Sequence, residues 1–268
     1  MRRIFVAAMV IGYCFLGIVA PAAASFISLN TSLTTKVTGR QLLVLVKAEN
    51  KGDETAYNVQ AEIRVAHQSV LGQKVSQLPV NSRYQAEFSI PLSKLAKPGC
   101  YPLALLLHYT DANQYPFSAL SCQTFNFNST DLPPEIFGKM TAGSFWKKGE
   151  VKLSYKNLGD NKFKLAISLI TPRELTVSGE KKTLLLSAKS AESLTIPVEN
   201  FSALSGSNYQ IFALAEYNLG DKHQTVIVPG MIRIADKTTL LGLDRNLLIV
   251  ILVALLAIFS AAQLLKKK

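Results

Sequence analysis

Three histidines, two cysteines in the body of the chain and a thin scatter of carboxylates are the residues here that could do chemistry. His67, His108 and His223 stand in separate apolar stretches, without the short spacing by which a metal site collects its ligands. There is no HExxH, no GxSxG, no phosphate-cradling glycine loop and no CxxC. No pair of carboxylates is placed for acid/base work. The expectation is a chain without catalytic residues, cofactor or metal, against which a hydrolase with an unrecognised site stands as a remote rival.

The cysteines carry a structural expectation instead. Cys100 and Cys122 each lie eleven residues from Asp111, read as the tip of a hairpin, so they are expected to face each other on adjacent strands. In an oxidising compartment that pairing favours a disulfide over two buried thiols. Asp53 and Asp160 follow Asn-x-Gly and would need further converging acids to hold calcium; Lys162 stands where the second copy would need one, so turn chemistry is the reading. Aromatics offer the remaining candidates. Tyr115 and Phe117, beside Asn113 and Gln114, flank the hairpin tip, and Trp146 opens a later strand within SFWKKGE. Such side chains either stack on a sugar, anchor a protein partner, or pack inward as strand residues do.

The elements that must position these residues are strands. Short runs rich in Val, Leu, Ile, Phe and Tyr alternate with Gly, Asn, Asp, Ser and Pro turns from residue 25 to residue 235. The pattern is all-β and repeats once. Asn50-x-Gly52-Asp53 matches Asn157-x-Gly159-Asp160, Ile90-Pro91 matches Ile196-Pro197, and Tyr101 and Tyr109 match Tyr209 and Tyr217. Two tandem immunoglobulin-like β-sandwiches are expected, at 25–129 and 137–235, joined by a linker at 130–136 that Pro133 and Pro134 stiffen. Tyr101 and Tyr209 fall where such sandwiches place a tyrosine that bonds back to the preceding corner. Leu103, Leu105 and Leu107 share one face by period two, as do Ile211, Ala213 and Ala215. Trp146 is expected to cover the junction between the two units.

An Asn-x-Gly turn in the first third, Ile-Pro in the middle and PGCY before the penultimate strand resemble the bacterial CARDB and NEW3-type immunoglobulin-like envelope modules, related in shape to fibronectin type III. The resemblance covers most of 26–129 and more loosely 137–235, where SGSNY replaces PGCY. It implies adhesion or scaffold modules outside the cytoplasm, without enzymatic residues of their own.

The ends read as targeting. Arg2, Arg3, the apolar run to Val19 and the small-x-small pair Ala22 and Ala24 predict a signal peptide over 1–24. Residues 247–265 carry no charge and would span about 28 Å as a helix, close to a bilayer's hydrocarbon core. Lys266, Lys267 and Lys268 then mark a cytoplasmic stub after a 236–246 juxtamembrane segment. Processing by a sorting enzyme is a minor alternative, because no short motif precedes the helix. Of the net charge of +11, two charges belong to the leader and three to the stub. The remaining excess is spread thinly, with Lys147–Lys148 and Lys181–Lys182 the only basic pairs, which argues against a nucleic-acid partner. The sequons at Asn30, Asn128 and Asn200 are read as chance in a bacterial envelope protein. The expected function is a membrane-anchored, single-pass envelope protein that binds or scaffolds a protein partner, its ectodomain periplasmic or extracellular. Glycan binding through the loop aromatics is the alternative.

Overall fold

The computed structural model describes residues 26–66, 68–130, 133–179, 181–236, 239–240, 243–244, 247–255 and 259. The expected signal peptide, His67, the stub and part of the expected membrane span lie outside the described residues.

Period-two alternation builds the first sandwich. Its strands are β1 (Leu29–Thr38), β2 (Gln41–Asn50), β3 (Ala56–Val65), β4 (Gln68–Leu71), β5 (Val75–Leu78), β6 (Arg83–Pro91), β7 (Gly99–Thr110) and β8 (Pro116–Phe127). One sheet runs β1-β2-β6; the other runs β4-β3-β7-β8, with β5 also on β3. In β2, Leu42, Val44, Val46 and Ala48 point inward, against Leu103, Leu105 and Leu107 of β7, all fully buried or nearly so. Each of these leucine and valine side chains contributes about 1.5–3 kcal/mol of burial.

The second copy repeats the plan with β9 (Ile136–Ala142), β10 (Lys148–Asn157), β11 (Phe163–Ile170), β12 (Leu175–Val177), β13 (Lys182–Leu186), β14 (Ala191–Asn200), β15 (Asn208–Leu219) and β16 (Lys222–Arg233). One sheet is β12-β14-β10-β9 and the other β13-β11-β15-β16. Ile211, Ala213 and Ala215 take the places of the β7 leucines. Opposed antiparallel sheets with this order define an immunoglobulin-like sandwich in each copy.

The repeated Asn-x-Gly-Asp is a three-way staple as well as a turn. Asn50 continues the inward-facing set of β2 and is fully buried. Its Nδ2 donates to the carbonyls of Glu54 (2.8 Å) and Leu78 (3.0 Å), and its Oδ1 accepts from Gly52 N–H (3.0 Å). Asn157, equally buried, does the same with Asn161 (2.7 Å), Ser187 (2.9 Å) and Gly159 (2.9 Å). The Asp side chains are used locally: Asp53 accepts from Phe26 N–H at 2.6 Å, and Asp160 pairs with Lys189 at 3.2 Å. The expected tyrosine corner is present in the first copy, where Tyr101 donates to the Lys97 carbonyl (2.8 Å). In the second, Tyr209 instead accepts from Leu204 N–H (2.9 Å).

After Asp236 a short hairpin pairs β17 (Thr239–Leu240) with β18 (Leu243–Asp244), and residues 247–255 are helical. Among the described residues no helix is long and apolar enough to cross a membrane.

Candidate functional site: the seam between the sandwiches

Strand direction fixes how the copies meet. β7 lies parallel to β16 through the bridge Gly99↔His223, with His223 N–H donating to the Pro98 carbonyl (2.9 Å). β16 is antiparallel to β15, the counterpart of β7, so the two sandwiches lie side by side with opposite polarity. One end of the pair, called distal here, holds Gly99, His223 and the end of β8 at Phe127. The other, called proximal, holds the β7–β8 hairpin tip, loop 201–207 and Asp236.

Gly99 is what makes the distal contact close. Its φ is +149°, a region L side chains rarely adopt, and a Cβ there would overlap the His223 backbone. The second copy has Ser207 at the equivalent position, where among the described residues no strand of the other sandwich pairs. This is why PGCY is not repeated as such. Beside the bridge, Tyr101 stacks on the His223 ring (centroids 4.2 Å apart, 7° between planes). Thr225 Oγ1 donates to the Cys100 carbonyl (3.0 Å). His223 Nε2 lies 3.4 Å from Glu216, which also pairs with Lys181 at 3.2 Å. Burial alone would raise the Glu216 carboxyl, but His223 and Lys181 bring it below its ordinary value.

At the proximal end the seam turns on Glu174, only 1% exposed. Its carboxylate accepts from Ser118 N–H (3.0 Å) and Ser118 Oγ (2.6 Å), both on β8 of the first sandwich. Arg173 N–H donates to the same Ser118 Oγ (3.0 Å). Tyr115 donates its hydroxyl to the Ser202 carbonyl of the second sandwich. Burial first, and then the Glu174 carboxylate, push the Tyr109 hydroxyl up to about 12. The outer faces of β7 and β15 are apolar as well: Ala104, Leu106, Phe212 and Leu214 are buried yet belong to neither sandwich core.

Clefts flank the seam. The distal one, about 460 Å³, has Arg64, Lys94, Lys181, Glu216 and His223 around a floor of Pro102, Ala104 and Leu214. The proximal one, about 850 Å³, lies between Tyr109, Phe117, Glu174 and Tyr209. On the first sandwich, Glu62 collects Arg64 Nε (2.6 Å), Ser69 Oγ (2.7 Å) and His108 Nε2 (2.7 Å). Burial opposes ionisation of Glu62, but these three partners together bring its carboxyl down to about 2.

Several expectations are corrected here. Cys100 and Cys122 do not face each other and are not disulfide-bonded; Cys100 pairs with Asn126, and Cys122 with Ala104. The cause is the hairpin tip. Asp111 Oδ1 accepts from Tyr115 N–H (2.8 Å) and Gln114 takes φ +64°, closing a loop over 111–115 that centres on Asn113. Moving the tip by two residues displaces the pairing by four, about 13 Å along the strands, beyond the reach of a disulfide. Burial pushes the Cys122 thiol up to about 12, the opposite of a reactive cysteine.

Tyr115 and Phe117 do come together, with ring centroids 5.2 Å apart, and Phe117 also stacks on Tyr109 at 5.6 Å. They are half-buried at the seam. Trp146 does not cover the linker junction. It packs half-buried against the second core at the proximal end, its carbonyl accepting from Asn200 Nδ2 (2.9 Å). His108 and His223 stay apart although the sandwiches touch, because they sit about nine residues, some 30 Å, apart along parallel strands. Among the described residues no three His, Cys, Asp or Glu side chains are grouped to hold a metal ion. Glu174, Ser118 and Gly99 carry no motif. A lone acid before a strand and a glycine before a tyrosine look the same in any sandwich, so only the seam reveals their use.

What this geometry defines is a class: a tandem pair of immunoglobulin-like sandwiches locked by a polar and apolar seam. No protein-family model and no curated protein matches the chain. Among solved structures, alpha-2-macroglobulin from Escherichia coli, spanning domain MG7 to the C-terminus, is 16% identical over 38% of this chain and 16% of its own, with TM-score 0.33. Salmonella alpha-2-macroglobulin reacted with methylamine is 15% identical over 78% of this chain and 16% of its own, TM-score 0.33. Red sea bream transglutaminase is 10% identical over 81% and 32%, TM-score 0.28. The chain thus spans a third or less of each, and likenesses at these scores carry no argument about function. The sandwich assignment rests on the strand order.

Proposed function

We propose that the chain is a membrane-tethered, non-enzymatic binding or scaffold module that presents its paired sandwiches to a protein partner on the periplasmic or extracellular side, with its C-terminus cytoplasmic. The observation that carries the tether is the helical segment 247–255. Ile249, Val250, Leu252, Val253 and Leu255 are each more than 40% exposed. Apolar surface of that extent is costly in water and at home in lipid. The uncharged run continuing to residue 265 and the three lysines after it support the same topology.

The binding half of the reading is supported by the seam. The two sandwiches are fixed to each other by hydrogen bonds from both ends, which preorganises one composite β surface for a partner. The CARDB and NEW3-type resemblance points the same way. Tyr115, Phe117 and Trp146 are engaged in the seam and the second core, so a protein partner is preferred to a sugar stacked on those rings. Cross-linking of the full chain in its own membranes, with the linked residues mapped, tests the reading. Links from exposed sandwich lysines to one recurring membrane or envelope protein are expected. Links only within the chain, under conditions that capture known complexes, would contradict it.

A further inference from the structure

The proximal end of the second sandwich carries an exposed surface beside the seam, which takes only the Ser202 carbonyl and the inner edge of loop 201–207. Loop 201–207 lies against the last residues before the chain leaves: Gly206 N–H donates to the Ile234 carbonyl (3.0 Å), and Ser205 Oγ to the Ala235 carbonyl (3.4 Å). From this loop Phe201 is 78% exposed and Leu204 41%. Next to it run Trp146 and Lys147, whose carbonyls accept from the Asn200 side chain and backbone. Lys148 follows, its side chain 78% exposed, and exposed Arg233 completes the group through its carbonyl, which accepts from Phe145 N–H. Lys152 lies in the same cleft as Lys148, so four cations stand against three carboxylates: Glu150 in that cleft, Glu199 beside Lys148 and Asp236 beside Ser205. A bare phenylalanine at a loop tip, a tryptophan and four cations on one end of a domain match the chemistry of a headgroup layer: apolar rings for the acyl boundary, cations for phosphate.

The tether brings this end to such a layer. Pairing of Thr239 with Asp244 folds the connection back on itself, so Asp236 and Leu247 are held within about 25 Å. We propose that the proximal end of the second sandwich is a lipid-docking surface. Phe201 and Leu204 enter the headgroup–acyl boundary, and Lys147, Lys148 and Arg233 engage the phosphates of anionic phospholipid. The proposal rests on the tether reading and adds an orientation to it. The sandwiches stand with loop 201–207 on the bilayer and the distal cleft away from it, by the length of β15, about 35 Å.

The test uses the full-length chain reconstituted in phosphatidylcholine vesicles, with and without phosphatidylglycerol, containing lipid brominated on its acyl chains. Trp146 is the chain's one tryptophan. A second is added as Phe201→Trp, or as Leu158→Trp at the distal end, where Leu158 is 46% exposed. Both sites are open enough to accept the ring. Loss of the emission contributed by position 201, with position 158 unaffected, is expected. The loss should deepen with phosphatidylglycerol, and Lys147→Gln with Lys148→Gln should remove that dependence. Equal emission from both positions in vesicles that retain the chain through alkaline washing would overturn the lipid-docking surface and leave the tether standing. A chain that washes off the vesicles overturns both.

Discussion

The carboxylate of Glu174, in the second sandwich, accepts two hydrogen bonds from Ser118 in the first, one from its backbone and one from its hydroxyl. A buried carboxylate is costly unless satisfied, so the two Ser118 donors are what let Glu174 stay buried in the closed seam. Glu174→Ala and Ser118→Ala should therefore couple. In a double-mutant cycle read by urea titration of the detergent-solubilised chain, the interaction should be about 1–2 kcal/mol. Additive losses would mean that the contact does not hold the seam.

Gly99→Ala should open the distal end without unfolding either sandwich. The added methyl overlaps the His223 backbone and sits at a φ that favours glycine. Small-angle scattering should show a larger radius of gyration at unchanged far-ultraviolet circular dichroism. An unchanged scattering curve would show that the parallel bridge is not needed.

Asn157→Ala removes two donated bonds and one accepted bond from a fully buried position. It should cost about 3 kcal/mol, since the carbonyls of Asn161 and Ser187 lose their side-chain donor. Asn50→Ala should cost about as much in the first sandwich. A loss under about 1 kcal/mol in either would reduce the staple to ordinary turn chemistry.

Glu62 sets a pH dependence. Its carboxyl titrates near 2 in the folded chain against 4.5 ordinarily, because Arg64, Ser69 and His108 overcome the effect of burial. A depressed folded value means the unfolded chain binds more protons between those limits. The contribution is thus complete above 4.5 and is lost as pH falls toward 2. Glu62→Gln should lower stability by about 2 kcal/mol at neutral pH, and the two stability curves should converge on acidification. Parallel curves across that range would contradict the assignment.

Strand faces and duplication were legible because period two leaves a direct trace: Leu103, Leu105 and Leu107 point where alternation puts them, and both Asn-x-Gly-Asp turns recur with the same bonds. The polar edge strand β1, LNTSLTTKVT, and the glycine-containing β9 are not among the runs that apolar character picks out, since half their surface is open and their partners supply the pairing. Cys100 and Cys122 were misplaced because register is set by turn geometry, here the Asp111–Tyr115 bond and the positive φ of Gln114, which apolar pattern does not encode. The seam was hidden for a related reason. Ser118, Glu174 and Gly99 acquire meaning only when a second sandwich lies against them, and Pro133 and Pro134 do not reveal that the two sandwiches lie side by side.

The central claim is a sandwich pair held outside the cytoplasm by one apolar helix, and membrane sidedness tests it most directly. Spheroplasts carrying the full chain would be treated with protease from outside, their membranes washed with alkaline carbonate, and the fragments mapped. The account expects the sandwiches to be cut while a fragment containing 247–268 stays in the washed membrane. A full-length chain that is recovered uncut in the soluble fraction would contradict it.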